Sequence, residues 1–241
     1  MTNEQWDVLL AVLKGEAVDP FPVGFIIDSP WLPGWAGQTV LDYYSSDRVW
    51  LEANFKAIET FPEVMFLPGF WSEYGMCTEP SAFGTKCRWE ERALPYADKI
   101  IGSIDDIARI EKPDAKSDGL LPFTLRRLEL HQAAIEKAGH RIRFAIARGP
   151  LNIATFLMGT TEFLMALRTD PEPIRKLLTL ITEFSVDWLR LQKERFPSIE
   201  GVFLLDDIVG FLGDADFQES ALPYLRQVFG ALDVRSEERR V

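Results

Sequence analysis

The chain has 241 residues, 47% of them hydrophobic and 26% charged, and 26 basic against 37 acidic side chains give a formal net charge of −11. Such proportions are typical of a globular protein, and the acidity argues against nucleic acid and anionic membranes as partners, because both need a basic face. No apolar run approaches the roughly 20 residues that span a bilayer. The first residues lack the basic and apolar segments of a signal peptide, and two cysteines make no disulfide framework. We therefore expect a cytoplasmic protein.

Short apolar runs alternate with longer helical patterns. The helical spacing of apolar residues predicts helices over 4–14, 39–44, 47–61, 122–138, 171–195 and 215–229. Continuous apolar composition, typical of strands buried on both faces of a parallel sheet, predicts strands over 22–27, 63–67, 143–147 and 201–205. Residues 85–93 suit a small hairpin outside that sheet. Strands alternating with long helices indicate βα units around a parallel sheet.

Four segments near the predicted strand ends carry a family resemblance when they are read together. Residues 148–159 (RGPLNIATFLMG) are similar to a G-x-P-[FL]-T-[LI]-A stretch, 205–210 (LDDIVG) to F-D-S-W-A-G, and 217–225 to F-x-x-F-x-x-P-Y-x-K. Residues 73–84 resemble the segment after the second strand of the same proteins. In this order the segments resemble the uroporphyrinogen decarboxylase superfamily.

The resemblance implies an α/β fold, a TIM (β/α)8-type barrel whose site lies at the carboxyl ends of the strands. A closed barrel has eight strands and four are evident here, so we expect an incomplete barrel of about the first four to five βα units in residues 1–232. Residues 233–241 are charged and lack an apolar period. A frayed terminus and a truncated chain both explain this tail, and we favour truncation. An open half-barrel exposes strand edges, which favours self-association through them.

Two chemistries occur in the superfamily: decarboxylation of the acetate arms of uroporphyrinogen without a cofactor, and methyl transfer between corrinoid proteins and thiols with zinc. The decarboxylase carries arginines after its first strand, whereas residues 26–32 contain none. Phe156 stands where the resemblance implies a tyrosine, and Asp207 where it implies a serine. Methyl transfer involving a corrinoid protein or related methyl donor is therefore favoured. Decarboxylation in porphyrin biosynthesis remains an alternative, as does a non-catalytic remnant that binds a ligand or self-associates.

The zinc ligands that the resemblance implies, a His-x-Cys pair and a later cysteine, would lie beyond residue 241 in a full-length parent. Cys77, Cys87, His131 and His140 do not match closed zinc-site spacings. We therefore expect no metal or other cofactor in the fragment, no activity of the fragment alone, and a small molecule or a corrinoid protein as its partner. We expect both histidines to lie on the surface.

The candidate catalytic residues are the three acids Glu73, Asp206 and Asp207. Adjacent strand residues point to opposite faces, so one of Asp206 and Asp207 should enter the barrel mouth. There it would accept a hydrogen bond from a substrate N–H, act as a base or help to hold a metal; otherwise it would cap the following helix. Arg148 either binds an anion at a helix start or pairs with an acid such as Asp206. The candidate substrate-binding residues are Asp28, Trp31, Phe70, Trp71, Met76, Arg148 and Phe156; Asp28 and Trp31 would otherwise be turn and rim-packing residues.

Overall fold

The computed structural model of the chain describes residues 1–27 and 31–232. Its helices are α1 (Asn3–Leu13), α2 (Leu32–Ala36), α3 (Val40–Ser45), α4 (Asp47–Thr60), α5 (Thr78–Ala82), α6 (Leu121–Lys137), α7 (Pro150–Met158), α8 (Thr160–Thr169), α9 (Pro171–Arg195), α10 (Asp214–Ser220) and α11 (Leu222–Phe229). Two 3-10 helices span Ile104–Arg109 and Asp207–Phe211. No single helix in these ranges is long and apolar enough to cross a membrane. Helices α7 and α8 reach that length and apolar character only when they are taken together, and they are bent by 108° relative to each other.

The strands form three pairs. Strand β1 (Val23–Ile26) is parallel to β2 (Val64–Leu67), and β5 (Phe144–Arg148) is parallel to β6 (Gly201–Leu205). Between them in the chain, β3 (Cys87–Arg88) and β4 (Tyr96–Ala97) form a short antiparallel hairpin. In the described residues the two parallel pairs are not hydrogen-bonded to each other.

The two faces of β5 contact different cores. Ala145 and Ala147 belong to the main core, which α7 and α9 help to form. Phe144 and Ile146 point the other way, into a smaller core with Trp6 of α1 and Met65 of β2. This arrangement follows from the alternation of side chains along a strand, and it puts helices outside the sheet and α1 against its inner face.

Two side chains form hydrogen bonds with backbone groups on the edge of β5 that faces away from β6. The side-chain amide of Gln192, on α9, accepts a hydrogen bond from the Ile146 N–H at 2.9 Å and donates one to the Ile146 carbonyl at 2.8 Å. One step along the same edge, the Arg148 N–H donates to Glu79 Oε1 at 3.0 Å. Buried peptide groups need such partners, so these two side chains replace a neighbouring strand.

The structure confirms all four predicted βα strands and corrects two details. Residues 22–27 do form a strand, but β1 is exposed along its length instead of buried on both faces. It pairs with β2 on one edge, and in the described residues nothing pairs with the other. The helix predicted over 215–229 is two helices, since the chain leaves helical geometry at Ala221 and α11 then begins with Pro223 in its first turn.

Candidate functional site

A buried group of three charged side chains lies where β5 ends. The Arg148 guanidinium donates to Glu73 Oε2 at 2.8 Å and to Glu79 Oε2 at 3.0 Å. The three side chains are only 9%, 8% and 3% exposed. Burial alone would lower the pKa of Arg148, but the charges of Glu79 and Glu73 outweigh it and raise this pKa, so the arginine stays charged.

Local turns after β2 position the two glutamates. The cis peptide bond Leu67–Pro68 and Gly69, with φ of +94°, redirect the chain as β2 ends. The Tyr74 N–H then donates to Thr78 Oγ1 at 2.8 Å, which ties residues 74–78 into a turn at the start of α5. Glu79 therefore lies in the first turn of α5, while Glu73 precedes the turn.

The charged group forms part of the wall of a small, largely enclosed cavity. Aromatic and aliphatic side chains line most of it. In the described part of the chain, Arg148 is the only basic residue among those that line it. Since two carboxylates bind this single cation, the charged group carries a net charge of −1. The lining includes Phe70, Trp71, Glu73, Glu79, Arg148 and Gln192.

The second acidic group follows β6 and contacts the start of α7. Asp206 accepts hydrogen bonds from the Leu151 N–H at 3.2 Å and the Asn152 N–H at 3.0 Å, so it caps α7 from a distant part of the chain. Asn152 Nδ2 donates to Asp207 Oδ1 at 2.8 Å and so orients this exposed carboxylate. Burial raises the pKa of Asp206 to about 7, although the two N–H bonds oppose that shift.

Gly149 makes the close approach of Asp206 to α7 possible. A Cβ atom at position 149 would overlap the side chain of Asp206. Because Gly149 directly follows Arg148, the carboxyl ends of β5 and β6 bring the two acidic groups into adjacent parts of the molecule. This is the edge at which parallel βα proteins place their sites.

The structure gathers some of the predicted site residues and separates others. Phe70, Trp71, Glu73 and Arg148 line the cavity. Trp31 does not; it is 42% exposed and stacks on Trp35 at 5.1 Å, beside α2. Half-buried Met76 and Phe156 also lie outside the lining. Asp28 lies outside the described residues, as do residues 233–241.

Arg148 pairs with acids, but its partners are Glu73 and Glu79, and Asp206 caps α7 instead. The sequence predicts that Asp206 or Asp207 caps the helix after its own strand, whereas Asp206 caps α7, which follows the neighbouring strand β5. Sequence reasoning gave no role to Glu79, Asn152 and Gln192. Glu79 was visible only as part of the resembling segment 73–84.

The expectation of two surface histidines is wrong for His140, which is 7% exposed and packs edge-on against Phe70 at 5.6 Å. Burial, with the nearby amino terminus, lowers the pKa of His140 to about 4. His131 is partly buried beside Trp50. Across residues 1–27 and 31–232, no three His, Cys, Asp or Glu side chains come together in a group that could hold a metal ion. The described residues therefore do not fit a resident zinc ion.

Residues 4–239 match the family model of uroporphyrinogen decarboxylase (URO-D). The chain belongs to the URO-D family. It is 22% identical over 256 residues to the uroporphyrinogen decarboxylase of Hydrogenovibrio crunogenus, which covers all of this chain and 69% of that protein. It is 25% identical over 170 residues to that of Neisseria meningitidis serogroup C, over 68% of this chain and 46% of that protein.

Among solved structures, a methyltransferase from Methanosarcina mazei superposes on this URO-D family chain with a TM-score of 0.71 and 18% identity, over 93% of this chain and 66% of that one. At such identity the likeness concerns the fold, and together with the family it implies a TIM-barrel-type fold. The chain thus spans between about half and about two thirds of the lengths of these three relatives.

Proposed function

We propose that this chain forms the substrate-facing part of a methyltransferase-like member of the URO-D family, with a corrinoid or a related compound as methyl donor. In this proposal the chain supplies the first four βα units of the barrel, β1, β2, β5 and β6. The exposed β1 and the partly exposed β6 are then the edges at which such a sheet would continue.

One observation carries the choice of chemistry: the only basic side chain lining the described cavity is already bound by two carboxylates. Recognition of a polycarboxylate requires free cationic donors, preferably arginine forks. Arg148 offers none, and Glu73 and Glu79 add negative charge. A group with several carboxylates would be repelled here, whereas an apolar group such as a transferable methyl would not. The cavity, with a volume of about 20 Å³, has room for a group of that size only, so the rest of either ligand would lie outside it.

The described residues supply three functions under this proposal. Phe70 and Trp71 exclude water from the cavity wall. Asn152 orients Asp207 at the exposed end of β6. A thiol acceptor must lose its proton as the carbon–sulfur bond forms, and Asp206, with a pKa of about 7, is suited to take up that proton near neutral pH.

Decarboxylation of uroporphyrinogen is the second candidate, because the relatives from Hydrogenovibrio crunogenus and Neisseria meningitidis carry that name. Titrations with one ligand of each reaction distinguish methyl transfer from decarboxylation. The purified chain is titrated with methylcobalamin and with uroporphyrin, and quenching of Trp71 fluorescence is followed, with Trp71→Phe as the control that identifies the responding tryptophan. We expect saturable binding of methylcobalamin and much weaker binding of uroporphyrin.

Charge-neutral variants make this experiment specific. If negative charge excludes the polycarboxylate, Glu73→Gln should bind uroporphyrin more tightly than the wild type, with little change for methylcobalamin. Lys112→Gln, at an exposed ion pair with Asp187, serves as a control away from the cavity. Tighter binding of uroporphyrin than of methylcobalamin by the wild type, or carboxyl loss from fresh uroporphyrinogen, would overturn the methyl-transfer proposal in favour of decarboxylation.

A further inference from the structure

The two cysteines lie against each other between α5 and the β3–β4 hairpin. Cys77 directly precedes α5 and has no exposed surface, while Cys87 begins β3 and is partly exposed. Both are free thiols, and they are hydrogen-bonded to each other. The pair plays no part in the proposed methyl transfer.

Contacts other than the thiols hold the hairpin in this position. Trp89, next to β3, packs edge-on against Tyr44 and Tyr74, with ring centroids 5.9 Å and 6.2 Å apart. Pro95 covers Gly75 so closely that a Cβ atom there would lie 2.9 Å from Pro95 Cγ. This packing holds the hairpin that begins with Cys87 against the segment that leads to Cys77.

The two thiols differ in acidity and in access. The hydrogen bond from the Cys77 S–H lowers the pKa of Cys87. The same bond, together with burial, raises the pKa of Cys77. Cys87 is thus the thiol that ionises first and the one that solvent reaches, which is how an attacking cysteine differs from an inert buried one.

We propose that Cys77 and Cys87 form a reversible disulfide, with Cys87 as the attacking thiol and Cys77 as the resolving thiol. The oxidant is a low-molecular-weight disulfide such as glutathione disulfide. The Cys87 thiolate attacks one sulfur of it, so that a mixed disulfide forms and one thiolate leaves. Cys77 then loses its proton and attacks the Cys87 sulfur, which releases the second thiol. The protein loses two protons and two electrons, and the oxidant takes them up to become two thiols.

The disulfide would connect the hairpin covalently to the start of α5. Glu79, two residues after Cys77, holds both the backbone and the guanidinium of Arg148. Oxidation would therefore restrain the segment that carries one wall of the cavity. Because a cross-link limits local opening, amide hydrogen exchange of residues 87–97 should slow in the oxidised protein.

The test uses the purified chain in buffers that range from reduced to oxidised glutathione. Remaining thiols are trapped with N-ethylmaleimide after acid unfolding, and intact and peptide masses are measured. We expect oxidised wild type to lose both reactive thiols, to gain no glutathione, and to yield a peptide pair cross-linked between Cys77 and Cys87. Reduction with dithiothreitol should restore both thiols.

Two variants separate the roles of the thiols. Cys77→Ala should accumulate one glutathione on Cys87, because no resolving thiol remains. Cys87→Ser should stay unmodified, because Cys77 is buried. Should Cys77→Ala fail to fold, the wild-type cross-link and Cys87→Ser still decide the matter. Stable glutathione on wild-type Cys87 without a cross-link, a disulfide between two chains instead of within one, or two free thiols at the most oxidising ratio would each overturn the proposal.

Discussion

Replacing Arg148 by methionine tests whether the buried charged group stabilises the fold as its geometry implies. The substitution keeps most of the side-chain volume but leaves Glu73 and Glu79 without their shared cation, and both carboxylates are nearly inaccessible to water. Removal of one partner of a buried ion pair costs about 3–5 kcal/mol. For a chain of this size that corresponds to a melting temperature lower by about 10 °C.

Urea unfolding followed by tryptophan fluorescence measures the change, and an unaltered slope against urea shows that the unfolded state is unaffected. Arg175→Met is the matched control: Arg175 binds Glu172 at 2.6 Å but is 47% exposed, so water solvates both charges and its loss should cost far less than that of Arg148. Glu73→Gln should fall between the two, since the Arg148–Glu79 pair then remains with balanced charge. If Arg148→Met lowers the free energy of unfolding by no more than Arg175→Met does, water already solvates the Arg148, Glu73 and Glu79 side chains, and their ion pairs do not stabilise the fold.

Three further predictions follow from the site and from β1. Because folding raises the pKa of Asp206 from its ordinary value of 3.8 to about 7, the folded state binds more protons in that window, and stability should fall as pH rises through it. Asp206→Asn should flatten this fall in urea midpoints measured across the window; an unchanged slope would contradict the assignment. Gly149→Ala should destabilise by about 2 kcal/mol or more through overlap with Asp206, whereas Gly34→Ala, with open space around it, should not; equal unfolding midpoints would refute this. We propose that chains self-associate through the open edge of β1, so Phe25→Lys should lower the sedimentation-derived association constant and Phe211→Lys, at an exposed 3-10 helix, should leave it unchanged; equal effects would exclude β1 as the contact.

Local patterns in the sequence are sufficient to predict most of the helices and strands. The apolar stripe and Pro171 at its start predict the helix over 171–195, and α9 has those bounds. Apolar runs likewise place the four βα strands to within a residue or two. Local patterns do not predict which elements surround a strand. The apolar composition of β1 suggests burial on both faces, yet its exposure depends on which neighbours are present.

The site depended on pairings between distant residues. Arg148 lies 75 positions from Glu73 and 69 from Glu79, so an isolated Arg-Gly-Pro motif does not reveal whether a substrate or another side chain neutralises the arginine. Asp206 caps a helix that begins over 50 positions earlier. The resemblance placed Glu73 and Arg148 at neighbouring strand ends. The sequence does not predict the contact between them, because it depends on how the chain turns after β2 and on how far the two side chains extend.

The amide of Gln192 makes one interior peptide group of β5 independent of strand pairing. A glutamine side chain has the same donor and acceptor as a peptide unit, so Ile146 is satisfied even though no strand in residues 1–27 and 31–232 pairs with this edge of β5. The gap between the two parallel strand pairs therefore carries no desolvation penalty at this residue. Space for a cavity can exist inside the sheet layer itself, and not only above its carboxyl end.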